Sequence, residues 1–377
     1  MSLKHVIIVG GGLAGLTSAI HLSRSGLKVT LVEKQGYPRH KVCGEYVSNE
    51  VSPYLKELGL DPFILGAKRI VHFELSSVKG VPLRVKLPLG GFSLSRFTFD
   101  FELLKKARSE GVEVIIDTVK DICFENDRFY VGLKEQGVKE GIFVIGAFGK
   151  RSNLDQKLHR NFLKKKSPYL AVKAHYSGEY PENLVGLHHF YGGYCGVSNV
   201  ENGQLNICYI AEYKEFKKVG NLEDFQNRVL SKNQTLKTIL DNSQIQFDKP
   251  LTISQISFDS KGLIDRHVLM CGDSAGMIHP LCGNGMSMAI LGAKIASELI
   301  LRYFEGDLSR ADVEREYKRQ WNRSFRLRIT AGRWLVKLFR MKSLSLHVMS
   351  GLKKYPGLLL RIIRMTHGTS MEGAWEI

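Results

Sequence analysis

The sequence has no long uncharged apolar run and few cysteines, and both absences restrict the class of protein. Among its 377 residues, no apolar run approaches the length that a helix needs to cross a membrane. Its six cysteines form no C-x-x-C pair and have no histidine at a metal-binding spacing, so we expect no metal site. The opening Met1–Lys4 shows no secretory signal pattern. These absences predict a cytoplasmic protein with reduced thiols.

Acidic residues are missing from one long segment near the end of the chain. Residues 317–371 hold thirteen Lys or Arg and no acid, and so supply most of the net charge of +17. Written on a helix, one side is basic (Arg326, Arg333, Lys337, Arg340) and the other apolar (Leu327, Ala331, Trp334, Leu335, Leu338, Phe339), with Arg328 as the exception. This pattern suits peripheral contact with an anionic membrane. The alternative is a helix packed on the protein with a solvated basic face. No nucleic-acid-binding module accompanies the charge, so we expect no nucleic acid partner.

The first thirty-three residues predict a strand, a glycine-rich turn, a helix and a second strand. Lys4–Val9 is a β-branched apolar run, typical of a buried parallel strand. Glycines at G-x-G-x-x-G spacing follow at once and open a helix over 16–25, and a strand over 28–32 ends at Glu33. The three glycines are Gly10, Gly12 and Gly15. This βαβ unit with an acid about twenty residues after the turn predicts a dinucleotide site.

Each part of this unit has a physical reason to bind a dinucleotide. Gly10 allows the tight turn, Gly12 lets the backbone approach a pyrophosphate, and Gly15 lets the helix pack closely on the strand. The helix N-terminus offers free N–H groups and partial positive charge to the phosphates. Glu33 can accept hydrogen bonds from the hydroxyls of an adenosine ribose. The motif alone does not distinguish NAD from FAD.

The remaining pattern predicts an α/β fold that a β-rich stretch interrupts. Strand-like runs dominate residues 169–212, where Asn202-Gly203 indicates a hairpin turn. The predicted helices cover 49–58, 96–110, 222–240 and 285–304, and the second has Phe97, Phe101, Leu104 and Ala107 as its apolar stripe. An α/β beginning, a β-rich middle and an α/β return predict two interleaved domains.

A second glycine-rich stretch lies far from the first. A predicted strand over 267–271 leads into Asp273, and a glycine-rich run over 282–286 opens the long helix that follows. An acid at a strand end can accept hydrogen bonds from a ribitol chain. The helix start would bring N–H groups to the N1–C2=O edge of a flavin, an interaction of roughly 0.3–2 kcal/mol. Taken alone, the stretch is equally typical of an ordinary helix start.

Together, the two stretches resemble the superfamily of FAD-dependent monooxygenases and geranylgeranyl reductases, flavoproteins with the aromatic-hydroxylase fold. The resemblance covers about residues 1–305. It is carried by GGGLAG with Glu33, KVCGEYVS at 41–48, R-x-x-x-D at Arg96/Asp100 and GDSAGMIHPLCGNGM at 272–286. It implies a Rossmann-like FAD-binding domain (residues 1–67, 96–160 and 259–305), a β-sheet-rich substrate domain (68–95 and 161–258) and a helical basic C-terminal segment (306–377).

The resemblance also implies a set of cofactor-binding residues, matched by position. They are Gly10, Gly12, Leu13, Ala14, Gly15, Glu33 and Lys34 for the ADP half; Lys41, Cys43, Gly44, Arg96 and Val119; Gly272 and Asp273 for the ribitol; and Pro280, Gly283, Asn284, Gly285 and Met286 beside the ring. His279 and Cys43 are the candidate catalytic residues. His279 adjoins Pro280 in the expected flavin loop, where it would modulate proton transfer. A structural role is the alternative for both side chains.

Three departures from the family pattern bear on the reaction. Relatives usually carry Asp-Gly where this chain has Phe148-Gly149. This difference leaves undecided whether NAD(P)H is the reductant. The Y-x-W-x-F-P element of the reductases is not matched by residues 194–198. The W-x-W-x-I-P element of flavin-dependent halogenases is absent, which disfavours halogenation.

The bound flavin would supply the redox chemistry, while the protein supplies orientation and electrostatics. We therefore expect an FAD-dependent oxidoreductase that reduces or dehydrogenates a carbon–carbon bond of a bulky hydrophobic substrate. Two alternatives stay open: hydroxylation of an aromatic ring, and a flavin-binding protein without catalysis. The electron donor is not indicated by the sequence.

Overall fold

The computed structural model describes residues 4–78, 81–164, 167–254, 256–279, 282–340, 351–352 and 354–368. The strands are β1 His5–Val9, β2 Lys28–Glu33, β3 Tyr46–Ser48, β4 Lys68–Ser76, β5 Leu83–Ser93, β6 Glu113–Ile116, β7 Val119–Glu125, β8 Arg128–Leu133, β9 Val138–Gly141, β10 Phe143–Gly146, β11 Tyr169–Gly178, β12 Leu184–Phe190, β13 Gly193–Asn199, β14 Leu205–Glu212, β15 Ser243–Ile245, β16 Leu251–Ser254, β17 Ile264–Asp265 and β18 Val268–Met270. The helices are α1 Leu13–Arg24, α2 Ser52–Glu57, α3 Arg96–Ser109, α4 Asn153–Lys157, α5 Tyr213–Lys217, α6 Leu222–Arg228, α7 Gln234–Asp241, α8 Gly285–Glu305, α9 Arg310–Arg340 and α10 Pro356–His367.

The first sheet is mostly parallel and has the order β17-β18-β10-β1-β2-β6. Strand β1 lies between β10 and β2 and is parallel to both, and every residue of β1 is buried. Such near-continuous apolar strands are typical of a sheet that is covered on both faces. Helix α1 packs between α8 and α3 against this sheet. Since β1, β10 and β18 run the same way, their carboxyl ends meet along one edge.

The turn between β1 and α1 depends on the close approach of two backbone segments. Gly10 has a φ of +107°, and a Cβ there would overlap the carbonyl of Ala147, the residue that follows β10. A Cβ on Gly15 would overlap the carbonyl oxygen of Gly10. The glycine positions thus allow the helix to start directly on the strand, as the spacing predicts.

The second sheet is largely antiparallel and has the order β15-β11-β14-β13-β12-β4-β5-β3, with β16 also paired to β11. Alternate residues of its central strands face opposite sides. One side packs under α6 and α7 in a hydrophobic cluster that includes Val172, Val197 and Ile207. The other side carries Ala171, Tyr194 and Ile210, which cluster with Met277 from the chain that follows the first sheet.

The structure confirms the predicted α/β class and the helical C-terminal segment. The hairpin predicted at Asn202-Gly203 is confirmed, because β13 and β14 pair antiparallel and these two residues have φ of 58° and 67°. The predicted helix over 222–240 is wrong as one element. It divides into α6 and α7 because Asn233 turns the chain and caps the second helix, accepting a hydrogen bond from Leu236 N (3.2 Å).

The predicted apolar stripe of α3 is also wrong in part. Its buried side chains include Phe99 and Leu103, whereas Phe97 is 36% exposed and stacks on His40 with 4.7 Å between the ring centroids. Phe97 therefore contacts a ring from outside the helix but stays exposed. The core-facing side of α3 is rotated slightly from the side that periodicity alone indicates.

The C-terminal helices pack on the rest of the protein. One face of α9 lies in the main core, with Val313, Tyr317, Trp321, Phe325 and Ile329 buried.

The predicted apolar side of the C-terminal basic segment is not buried against the protein at two described positions. Leu327 and Trp334 are both 63% exposed. Arg328, the predicted exception, points inward, where its guanidinium lies 2.9 Å from the buried carboxylate of Glu50. The side chains of Lys337, Leu338, Phe339 and Arg340 lie outside the described residues. Within the described residues, no helix is long and apolar enough to span a membrane.

The turn geometry predicts that Gly15→Ala lowers the free energy of unfolding by about 1–3 kcal/mol, because the added methyl group must displace the backbone of Gly10. Gly36→Ala is the matched control, since a Cβ at Gly36 meets no atom within 4 Å in the part of the chain that the structure describes. Urea denaturation of both variants measures the difference. Equal stability of the two variants would contradict this account of the turn.

Candidate functional site

Three turns meet at the carboxyl edge of the first sheet. They are the glycine turn after β1, residues 147–150 after β10, and residues 271–274 after β18. A Cβ on Gly272 would lie 3.2 Å from Cβ of Ala14, and Ser274 Oγ donates to the carbonyl of Gly149 (3.1 Å). The two glycine-rich stretches, more than 250 residues apart in the sequence, therefore share one edge. Ligands of open α/β sheets bind at such an edge.

Glu33 lies beside the glycine turn, as its spacing predicts. Its buried carboxylate accepts a hydrogen bond from Gly11 N–H (2.7 Å) and pairs with the guanidinium of Arg39 (2.9 Å). The acid is thus fixed where a ribose would follow the pyrophosphate. Val119 begins β7 after the short connection from β6, the strand that neighbours Glu33, while Lys34 points to solvent.

The start of α1 is open to a ligand. No side chain caps the helix, so its first-turn N–H groups keep their capacity to bind an anion. Gly12 is half-buried, and within the described part of the chain a Cβ built there has one atom within 4 Å, a guanidinium nitrogen of Arg96 at 3.8 Å. Arg96 was predicted to contact the cofactor, and the structure places it at the turn.

Arg96 belongs to a buried charge cluster around Asp100. The carboxylate of Asp100 is 1% exposed and binds Arg96 through two hydrogen bonds (2.7 and 2.8 Å) and Lys41 through a third (2.6 Å). Burial alone would raise the pKa of Asp100, but the two cations outweigh it and hold the pKa below its ordinary value. The R-x-x-x-D pair thus fixes Arg96 beside Gly12, and Asp100 also holds Lys41.

A second buried cluster, around Glu45, was not predicted from the sequence. Its carboxylate is wholly buried, lies 2.5 Å from Lys173 Nζ and 2.8 Å from His175 Nε2, and accepts a hydrogen bond from Arg96 N–H (2.8 Å). Burial opposes ionisation, but Lys173 and His175 outweigh it and lower the pKa of Glu45. The sequence signal for this cluster was Lys173, a lysine within an otherwise apolar strand. The cluster ties the 41–46 loop to the second sheet.

Cys43 lies in the same loop, between the two sheets. Its backbone carbonyl accepts a hydrogen bond from Asn206 Nδ2 (3.3 Å), and Glu45 N–H lies 3.5 Å from its sulfur. Burial raises the pKa of the thiol, so Cys43 is protonated at neutral pH. This environment favours a residue that shapes the site over a nucleophile. Gly44 beside it is exposed, and no atom of the described residues lies within 4 Å of a Cβ built there.

Two lysines accompany Asp273 at the sheet edge. Lys261 Nζ donates to the backbone carbonyls of Lys150 (2.6 Å) and Asp273 (2.7 Å). The amine of Lys150 is buried and has no hydrogen-bond acceptor among the described residues. Burial lowers the pKa of each lysine to about 8 and raises that of Asp273. Such partly desolvated charges are typical of a site that a ligand completes.

The N-terminus of α8 forms the far side of the site. The helix starts at exposed Gly285, and the side chain of Asn284 at the N-cap position accepts no hydrogen bond from its first turn. Gly283 has a φ of +62°, and a Cβ there would lie 3.4 Å from the ring of Tyr46. Met286 is buried. Pro280, the remaining predicted residue of this loop, lies outside the described residues.

His279 lies in an aromatic pocket next to this loop. Its side chain is 4% exposed, its ring centroid is 4.2 Å from that of Phe258, and Nδ1 lies 3.2 Å from the hydroxyl of Tyr194. Tyr194 comes from the face of the second sheet that turns toward the first. The structure therefore brings His279 to that face, whereas Cys43 lies further along it beside Asn206.

This face of the second sheet has an open space at its centre. Gly196 on β13 follows Tyr194 by two residues and so lies on the same face. It is half-buried, and among the described residues a Cβ built on it would meet only the carbonyl oxygen of Cys208, at 3.7 Å. Tyr194 and Ile210 border this space on one side, with Ala171 next to them, and their side chains are apolar or aromatic. On the other side the same face carries Ser198 and Asn206, so the border is apolar toward Tyr194 and polar toward Asn206.

These observations fit FAD. Two uncapped helix N-termini, those of α1 and α8, offer backbone N–H groups to a ligand, and both helices border Gly272. Lys41, Arg96, Lys150 and Lys261 outnumber Asp100 and Asp273, which leaves positive charge for a pyrophosphate. The amine of Lys150 lacks an acceptor that a phosphate oxygen would supply. Among the described residues, no group of His, Cys, Asp and Glu is arranged to hold a metal ion.

Comparison with known proteins agrees with this site. Residues 5–41 match the family profile described as FAD dependent oxidoreductase. The chain is 26% identical over 367 residues to Conditioned medium factor receptor 1 of Dictyostelium discoideum, covering 86% of this chain and 68% of that protein. It is 26% identical over 335 residues to a digeranylgeranylglycerophospholipid reductase of Methanocaldococcus jannaschii, covering 84% and 81%. A solved flavin-dependent brominase superposes with a TM-score of 0.78 at 19% identity, covering 97% and 94%, and shows the same fold.

The glycine turn, the two helix N-termini and these matches define an FAD-dependent oxidoreductase. The chain is similar in sequence to a digeranylgeranylglycerophospholipid reductase and in fold to flavin-dependent halogenases.

The pKa of Lys150, lowered to about 8 by burial, predicts a pH-dependent affinity for FAD. Below pH 8 the protonated amine attracts the cofactor's phosphates, and as the pH rises past 8 this attraction is lost. Lys150→Gln should weaken FAD binding roughly tenfold at pH 7. The affinity of this variant for FAD should also fall less between pH 7 and 9 than that of the unaltered protein. Part of the fall remains because Lys261 still loses its proton. Quenching of FAD fluorescence by the apoprotein measures both effects.

The exposed lysine Lys157 of α4 provides the matched control, because Lys157→Gln removes the same charge away from the sheet edge. An unchanged pH profile in Lys150→Gln would show that this amine does not act on the cofactor.

Proposed function

We propose that this protein reduces or dehydrogenates a carbon–carbon bond of a bulky hydrophobic molecule. The observation that carries the proposal is the open space over Gly196, on the sheet face toward the cofactor residues, which apolar and aromatic side chains border on the side of Tyr194. A polyprenyl chain or a similar apolar molecule suits such a space. The related reductase of Methanocaldococcus jannaschii is named for a digeranylgeranylglycerophospholipid, which supports the same class of substrate.

Cofactor binding and substrate binding are assigned to two separate domains. We propose residues 1–67, 96–160 and 259–305 as the FAD-binding domain, with the ADP half at Gly10–Gly15 and Glu33, and the ring at 283–286. Residues 68–95 and 161–258 form the substrate domain. Bound FAD supplies the hydride chemistry. The protein excludes water through the buried sheet face and orients the substrate over Gly196.

His279 is the proposed proton-handling residue. It stands at the border of the two domains with one ring nitrogen 3.2 Å from the Tyr194 hydroxyl, so the pair can hold a proton next to the apolar space. Cys43 is proposed to shape the cofactor site as a neutral thiol.

The electron donor is proposed to be something other than NAD(P)H. Relatives usually have an acid at the position of Phe148, whose aromatic ring here lies against Gly146. A carboxylate that would contact a nicotinamide is therefore missing from this turn.

Anaerobic single-turnover experiments test the reaction. Dithionite-reduced protein mixed with a polyprenyl lipid should regain its oxidised flavin spectrum, while mass spectrometry shows one double bond saturated per flavin. NADH and NADPH should reduce the oxidised protein slowly by comparison. Flavin reoxidation only on adding oxygen, with hydroxylation of a phenolic compound, would establish the hydroxylase alternative instead.

The same experiment assigns the role of His279. His279→Phe keeps the aromatic packing on Phe258 but removes the ring nitrogens, and should slow turnover roughly 10²-fold with FAD affinity unchanged. Tyr169→Phe is the control, because Tyr169 contacts the same histidine ring edge-on, at 6.0 Å between centroids. Normal turnover in His279→Phe would remove the histidine from the mechanism.

We also propose that the C-terminal segment contacts membranes peripherally. The supporting observation is that Leu327 and Trp334, both 63% exposed, lie on α9 close to Arg326 and Arg333. Exposed apolar side chains among arginines suit an anionic lipid surface, which would also hold a hydrophobic substrate.

Flotation with vesicles tests this contact. Full-length protein should float with phosphatidylglycerol vesicles, and Leu327→Ser/Trp334→Ser should lose most of that binding because the apolar anchor is gone. Vesicles of phosphatidylcholine alone serve as the control for charge. Equal flotation of the double variant and the unaltered protein would contradict the proposed contact.

A further inference from the structure

Helix α10, near the end of the chain, is joined by hydrogen bonds to both segments that border the proposed flavin ring. Asn284 Nδ2 donates to the carbonyl oxygen of Thr366 (2.8 Å), and Ser48 Oγ donates to the carbonyl of His367 (3.1 Å). Asn284 is wholly buried, and Thr366 is 2% exposed. These bonds link positions 82 and 319 residues apart, so α10 is part of the same structural unit as the start of α8.

The bond from Asn284 has a consequence for α8. An asparagine at an N-cap position ordinarily turns its side-chain oxygen onto an N–H group of the first helical turn. Here Asn284 occupies that position, yet its side chain accepts no such bond, and Oδ1 has no partner among the described residues. Its amide group is held toward α10 instead. The first-turn N–H groups of α8 therefore stay available to a ligand.

Apolar packing and an ion pair hold α10 in this position. Leu359 and Ile363 are buried with Ile70 and Leu87 of the second sheet in one cluster. Next to the end of the helix, the buried carboxylate of Glu50 binds the guanidinium of Arg328 through two contacts of 2.9 and 3.0 Å. Arg328 belongs to α9, so both C-terminal helices converge on the segment that follows β3.

We propose that α10 is a structural part of the flavin site. By binding the amide group of Asn284, it prevents this side chain from capping α8 and leaves the first-turn N–H groups free for the N1–C2=O edge of the ring. The inference rests on the proposed placement of the ring at 283–286, but not on the proposed substrate or reaction. Asn284 is thus a positioning residue, and α10 sets its conformation.

Undocking α10 tests the inference. Ile363→Asp places a charge in the apolar contact, whereas Arg361→Asp places the same side chain on the exposed face of the same helix. Ile363→Asp should weaken FAD binding about tenfold or more and make the flavin midpoint potential more negative, while Arg361→Asp stays within about twofold of the unaltered protein. Fluorescence quenching and dye-equilibrated reduction are the measurements, with circular dichroism to confirm that each variant is folded.

A rescue experiment separates this role from general damage. If released Asn284 caps α8, then removing its side chain should restore the site, so Asn284→Gly/Ile363→Asp should bind FAD several-fold more tightly than Ile363→Asp alone. Failure of the double variant to recover, or normal binding by Ile363→Asp, would overturn the proposal. None of these readouts requires turnover, so a failed reductase assay would leave the inference standing.

Discussion

The contact between the backbone of Gly10 and the start of α1 is the constraint on which the rest of the site depends. No side chain fits between Gly15 and the carbonyl of Gly10, or between Gly10 and Ala147, so the helix begins directly at the sheet edge. The uncapped start of α1 therefore lies next to Arg96 and to the turns after β10 and β18. A bulkier residue in this turn would move the helix away and separate the anion site from Glu33.

The Glu45 cluster joins the two sheets around the space that this turn leaves open. Burying a carboxylate and an ammonium group costs free energy that their attraction offsets only when further hydrogen bonds are made. Glu45 has such bonds, from His175 on the second sheet and from the backbone of Arg96 on α3. Its partners come from both sides of the cleft. The cluster therefore specifies where the 41–46 loop lies, and with it Cys43 and Lys41, rather than adding stability.

The parts of the site that follow from local chemistry were predictable from the sequence. Strand, glycine turn, helix and acid lie next to one another in the chain, so their spacing alone indicated Gly10, Gly15 and Glu33. The hairpin at Asn202-Gly203 followed from the same kind of local signal. The second stretch, with Asp273 and Gly285, was placed by resemblance, and the structure brings it to the same edge.

What escaped prediction depends on contacts between distant residues. Lys173 and Glu45 are 128 residues apart, and no local pattern reports that one neutralises the other. Arg328 interrupts an apolar stripe for a reason found only in Glu50, which lies 278 residues earlier. Phe97 departs from the core face of α3 and stacks on His40 instead. In each case the deciding contact comes from a residue outside the element, which periodicity within that element cannot identify.

The central claim is that two distant helix N-termini hold opposite ends of one FAD molecule. A crystal structure of the protein with FAD bound tests it most directly. The account predicts pyrophosphate oxygens within about 2.7–3.2 Å of the first-turn N–H groups of α1, and the N1–C2=O edge of the ring at the same distance from those of α8. FAD bound with its ring away from residues 283–286, or a protein that takes up no FAD at all, would contradict the claim.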